Sequence, residues 1–351
     1  MLAALALSIA VLGGGLYLGL HDAAGGQPGG AATSPAGNQS SAAAGASRGT
    51  PSASPSSSHP VGQAGDYPVT QARFTFYELS PVAGRRVLRT TVWFPAARTG
   101  NATAGGPFPL IVFAPGFMQC GSDYSALLRQ WASAGYVVGA VNFPRTNCYV
   151  ADPYEKDLVN QPADMAYVTV RLRQLSQSPG NPLSGLISLN RVAFAGHSDG
   201  GDTVAAMAAD SCCRYGLLRA VVVLAGAEYP ALGGSWFSQP TPPMLFVQGS
   251  ADTCNPPPDS IYMYQSDTTG TRFYLDLFGA NHLSPYEGTS EPEPIVEQVT
   301  IDFFDRYLAG QNIAPGAMRR AARVHGLAAL GSGGSLPAGQ GGGQGSGNTG
   351  C

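Results

Sequence analysis

The chain has 351 residues, a formal net charge of −3 and only 12% charged side chains. No Lys/Arg cluster interrupts that sparse pattern, which argues against a nucleic-acid partner. The six cysteines suit an oxidising compartment, provided the chain is exported.

Leu2 to Leu20 is nearly unbroken Leu, Ala, Ile, Val and Gly, with no charged side chain. It is long enough to span a bilayer and also has the pattern of a secretory signal. Residues 1–20 are therefore expected to be a signal peptide or membrane anchor, giving an extracellular or cell-surface protein. No Cys follows the run before Cys120, which argues against a lipid-anchored N-terminal Cys. Residues 21–66 hold almost no large apolar side chain among Ala, Gly, Ser, Pro and Thr. Such a tract buries too little surface to offset its ordering entropy, so it reads as a disordered stalk. The same composition from Gly331 onward predicts a disordered Gly-rich tail, placed over residues 326–351. Residues 67–325 remain for one folded domain.

Ala72 to Leu79 and Val87 to Phe94 alternate like antiparallel strands about a short turn. Short apolar runs then follow at Leu110–Ala114, Tyr136–Val141, Arg191–Ala195, Ala220–Ala225, Met244–Val247 and Arg272–Leu277. Helical stretches fall at Asp123–Ala134, Ala163–Leu175 and Pro294–Leu308. Continuous apolar strands alternating with helices predict an α/β fold, a mostly parallel sheet covered on both faces. Ligands gather beyond the carboxyl ends of such strands.

Gly196-His197-Ser198-Asp199-Gly200-Gly201 follows one of these strands and precedes the helical run Asp202–Ala209. Strand, tight turn and helix are the setting that a nucleophile elbow needs, with glycines where Cβ atoms would collide. Ser198 is thus the candidate nucleophile. The acid and then the base should follow it in the chain. His282, just after the last apolar run, is the candidate base. His21 and His59 lie in the stalk, His197 in the elbow and His325 next to the tail. Asp252 ends a strand-plus-Gly-turn segment and is the candidate acid. Asp259 is a rival, but its Pro256-Pro257-Pro258 lead-in suggests a helix start and a capping role. Asp276 sits within a strand and Glu228 follows a different one. Backbone N–H groups of Asp199 and Phe117 are the expected oxyanion donors, Phe117 from the loop Ala114-Pro115-Gly116-Phe117-Met118.

The segments APGF, NRVAFAGHSDGG, FVQGSADTCNPP and GANHLSP together resemble the dienelactone-hydrolase-like and platelet-activating-factor-acetylhydrolase-like esterases of the α/β-hydrolase superfamily. They are also similar to bacterial cutinase-like lipases. The resemblance spans roughly Phe74 to Leu308 and implies Ser198, Asp252 and His282 as a triad, with Phe117 and Asp199 as oxyanion donors. Dienelactone hydrolases use Cys where this chain has Ser198. Polyester-degrading cutinases usually carry Met at the Asp199 position and Trp near Gly226-Ala227, departures that weaken a plastic-degrading assignment. Only about 18 residues separate Ala225 from Met244, so no large lid is expected there.

Cys120 and Cys148 each follow a strand at the expected active-site rim, and a bridge between them would stiffen the Phe117 loop. Cys254 lies on the same rim and competes for either partner. Cys212 and Cys213 sit at the far end of the elbow helix, ~18 Å away, so connectivity stays open. No Cys/His spacing matches a zinc site, and neither metal nor cofactor is expected. Phe117, Met118, Tyr149, Tyr229 and Trp236 are expected to line a pocket for an uncharged acyl group. The expected activity is hydrolysis of a small-molecule or lipid-like ester by a monomer. Lipase, cutinase or polyester hydrolase, acyltransferase or peptidase, and a non-catalytic binding module are the alternatives.

Overall fold

The computed structural model describes residues 67–97, 105–288, 290–323 and 326–337. The apolar segment 1–20 and the stalk 21–66 lie outside these residues, as do His325 and residues 338–351. No helix among the described residues is long and apolar enough to cross a membrane.

The alternating segments form an antiparallel pair, β1 (Val69–Ser80) and β2 (Gly84–Pro95). β1 keeps one face exposed, as an edge strand with a period of two must. The continuous apolar runs become β3 (Phe108–Ala114), β4 (Val137–Asn142), β5 (Ile187–His197), β6 (Leu218–Leu224), β7 (Met244–Gly249) and β8 (Arg272–Leu277). These pair in parallel in the order β4-β3-β5-β6-β7-β8, and β3 is buried along its whole length. β2 joins β4 antiparallel. The ninth strand is a correction. Ala328–Ser332, assigned to the disordered tail, is β9 and pairs antiparallel with β8 from Phe273 to Leu277.

Helices cover both faces. α1 (Ser125–Ser133), α5 (Glu293–Tyr307) and α6 (Pro315–Ala322) pack on one, where Trp131, Phe303 and Phe304 meet Ile111, Phe113 and Val222. α2 (Gln161–Gln177), α3 (Asp199–Ala209) and α4 (Pro257–Ser266) pack on the other, where Val168, Leu172, Val204 and Met263 meet Leu110, Val112 and Phe246. Neighbouring residues of β3 feed opposite layers because side chains alternate along a strand. This is the α/β-hydrolase architecture expected. The β6–β7 connection holds only a short 3-10 turn, Pro230–Leu232, and no lid-sized element. A buried ion-pair cluster ties β2 to α2, with Arg86 donating to Asp157 and Asp164.

Candidate active site

Three strand ends converge. β5 delivers Ser198, β7 is followed by Asp252 and β8 by His282. Ser198 holds a left-handed backbone, φ 54° and ψ −125°, which costs an L-residue on the order of 1–3 kcal/mol. Its neighbours must be glycine for that turn to form. A Cβ on Gly196 would overlap the Gly200 carbonyl, and one on Gly200 would overlap the Ala114 carbonyl. α3 begins at Asp199, so its positive end lies beside the Ser198 hydroxyl.

The His282 Nε2 is 2.9 Å from Ser198 Oγ, and its Nδ1 is 2.8 Å from Asp252 Oδ2. Asp252 is fully engaged. Oδ2 also accepts from Gln248 Nε2 at 2.9 Å, while Oδ1 accepts from the backbone N–H groups of Cys254 and Asn255. A carboxylate held by four donors fixes the Nδ1–H tautomer of His282, which leaves Nε2 free to accept the serine proton. Asp259, the rival acid, lies in the first turn of α4 behind Pro256 and makes no side-chain cap.

The loop after β3 is pinned from several sides. Cys120 and Cys148 form a disulfide with a Cα–Cα distance of 5.3 Å, as expected. Met118 N–H donates to the Thr146 carbonyl, and Gly121 N–H to Asn142 Oδ1. The backbone N–H groups of Phe117 and Asp199 have no acceptor among the described residues. Two unspent donors on either side of the serine suit an oxyanion.

A buried relay links this loop to the histidine, and sequence reasoning missed it. Gly116 N–H donates to the Tyr124 hydroxyl at 3.2 Å, which lies 2.8 Å from His197 Nδ1. His197 Nε2 lies 2.8 Å from the His282 carbonyl. A carbonyl only accepts, so His197 donates through Nε2 and accepts the Tyr124 proton at Nδ1. Complete burial, with His282 nearby, drives the His197 pKa down and keeps it neutral. The motif placed His197 beside the nucleophile, but only the packing of α1 brings Tyr124 to it.

The serine opens into a cleft of about 260 Å³, lined by Phe117, Gln119, Glu155, Asp199, Asn255 and Leu283 among others. Of the expected pocket residues only Phe117 lines it. Met118 turns outward with φ 60° and is 56% exposed. Tyr149 belongs to a separate groove with Arg73, Phe74 and Asn142. Tyr229 stays outside the lining. Trp236 bridges Asp210 at the opposite end of α3, one helix length of ~16 Å from Ser198. Glu155, from a 3-10 helix after β4, is the residue that fills the vacated role of rim.

Asp199 is 8% exposed and its carboxyl makes no hydrogen bond among the described residues, with Oδ2 fully buried. Burial, with Glu155 adding repulsion, pushes its pKa up to about 7. Cys212 and Cys213 are joined to each other, and Cys254 is also disulfide-bonded. Asp252, Cys254 and His282 lie close together. Asp252 and His282 are bonded to one another and Cys254 has no free thiol, so the group does not fit a cation site.

No curated protein matches the chain significantly. A family model described as PETase, PET hydrolase-like, matches residues 56–313, and this chain belongs to that family of ester hydrolases.

Proposed function

We propose that the protein is a serine carboxylic-ester hydrolase acting through an acyl-Ser198 intermediate. The observation that carries the reading is the hydrogen-bonded chain from Ser198 Oγ through His282 to a fully engaged Asp252. His282 Nε2 takes the serine proton as Oγ attacks the ester carbonyl carbon. The tetrahedral oxyanion accepts from the Phe117 and Asp199 N–H groups, which face no competing acceptor. The carbon–oxygen bond to the alcohol then breaks, and His282 returns its proton to that oxygen. Water, deprotonated by His282, attacks the acyl-serine; the carboxylic acid leaves and Ser198 regains its proton. Tyr124 and His197 act as positioning residues, holding the Gly116 end of the oxyanion loop and the His282 backbone in one network.

Family membership favours a polyester as a second substrate reading, with a cleft that no lid-sized β6–β7 segment covers. Asp199 and Gly226-Ala227 stand where polyester-degrading cutinases usually carry Met and Trp, so short soluble esters are the first substrates to try. The apolar segment 1–20 and the Cys120–Cys148 bridge support export to an oxidising compartment. Ser198→Ala tests the nucleophile. The purified variant should lose hydrolysis of short p-nitrophenyl esters by about 10⁴-fold or more; retention of wild-type turnover would overturn the assignment.

A further inference from the structure

We infer that Asp199 and Glu155 make the cleft select esters bearing a positive charge over uncharged and anionic ones. The inference rests on the ester-hydrolase reading and extends it to a substrate class. Asp199 follows the nucleophile directly, lines the cleft and is nine-tenths buried, yet none of its oxygens has a partner among the described residues. A buried carboxyl group without a donor is costly to maintain. The nearby carboxyl Asp202 shows the ordinary solution, since it accepts from the Ala227 N–H at 2.6 Å. Asp199 has no such donor and lies in the wall of the cleft.

The surrounding charge points the same way. Glu155, on the exposed rim, lines the same cleft, and the lining contains no Lys or Arg. Glu155 is the charged group that acts on Asp199, and Asp202 stands near enough to feel the charges of both. An ammonium group on the substrate would supply the missing counter-charge to both carboxylates. A carboxylate on the substrate would meet repulsion from both. The apolar Phe117 and Leu283 leave room for the hydrocarbon part of the same ester.

The test compares kcat/KM at about pH 8.5, where Asp199 is ionised, on esters that share one acyl group. They are butyrylcholine, its uncharged isostere 3,3-dimethylbutyl butyrate, and 3-carboxypropyl butyrate. Wild type should rank them cationic, uncharged, anionic, with a cationic-to-uncharged ratio of about fivefold. Asp199→Asn should bring that ratio towards one, and Glu155→Gln should reduce it in part. Glu155 is exposed, so its variant keeps the test open should Asp199→Asn fail to fold. Equal kcat/KM for the first two esters in wild type, or a ratio unmoved by both variants, overturns charge selection while leaving ester hydrolysis intact. Failure to hydrolyse any of the three, with no labelling of Ser198 by a fluorophosphonate, overturns the ester-hydrolase reading itself.

Discussion

The loop after β7 and the turn after β5 each bring a buried carboxyl group beside the same serine, and they treat it in opposite ways. Asp252 accepts four hydrogen bonds, two from its own loop, one from Gln248 at the end of β7 and one from His282. Asp199 accepts none among the described residues, and its pKa is pushed up to about 7. A carboxylate surrounded by donors is a rigid strut, able to hold an imidazole in one tautomer. A carboxyl group without donors holds nothing in place and is instead free to answer a ligand. The difference separates a group that serves the chemistry from one that serves selection.

The largest effect should come from the engaged carboxylate. Asp252→Asn keeps the shape but offers His282 an amide in place of a pure acceptor, so the tautomer is no longer enforced. We expect kcat to fall by about 10⁴ with the fold retained, measured by steady-state kinetics alongside circular dichroism. A loss of less than tenfold would erase the distinction between the two carboxyls.

A smaller loss is expected from the relay. Tyr124→Phe removes the hydroxyl that accepts from Gly116 and donates to His197. Buried groups at both ends are left unsatisfied, at a cost of about 1–3 kcal/mol in stability. We expect kcat to drop about tenfold with KM little changed, because the oxyanion loop and His282 lose a common anchor. An unaltered kcat with a lowered Tm would reduce Tyr124 to a packing role.

The unengaged carboxyl should show itself in the pH dependence of stability. Its pKa is about 7 when folded against an ordinary 3.8. Between those values the unfolded chain has released a proton that the folded chain still holds, so stability falls as pH rises and the full penalty is present above about 7. Asp199→Asn removes that penalty. The variant should melt several degrees or more above wild type at pH 8 and close to it at pH 4, as read by differential scanning calorimetry. Equal melting at both pH values would mean that Asp199 finds a partner in solution.

Much of this site was legible before the fold was known, for reasons that are local. A nucleophile elbow needs a strand, glycines at fixed offsets and a helix, and all lie within a few residues of Ser198. Asp252 and His282 follow from chain order and from their own short strands. The parallel sheet was legible because its strands are buried on both faces and so read as continuous apolar runs. What could not be read depends on distant packing. Tyr124 reaches His197 only because α1 lies over β3. Trp236 folds back along α3 to Asp210 instead of facing the serine. Glu155 enters the cleft through the path of the long β4–α2 connection. β9 is a five-residue run, Ala328–Ser332, four of them small, whose strand character comes from the free edge of β8 rather than from any pattern of their own.

The central claim is that Ser198 is the nucleophile activated by His282. The most direct measurement is reaction of the full chain with a fluorophosphonate, followed by mass spectrometry of its peptides. A single adduct on Ser198, abolished in Ser198→Ala and strongly slowed in His282→Ala, is the predicted result. No adduct, or one on another serine with ester hydrolysis intact, would contradict it.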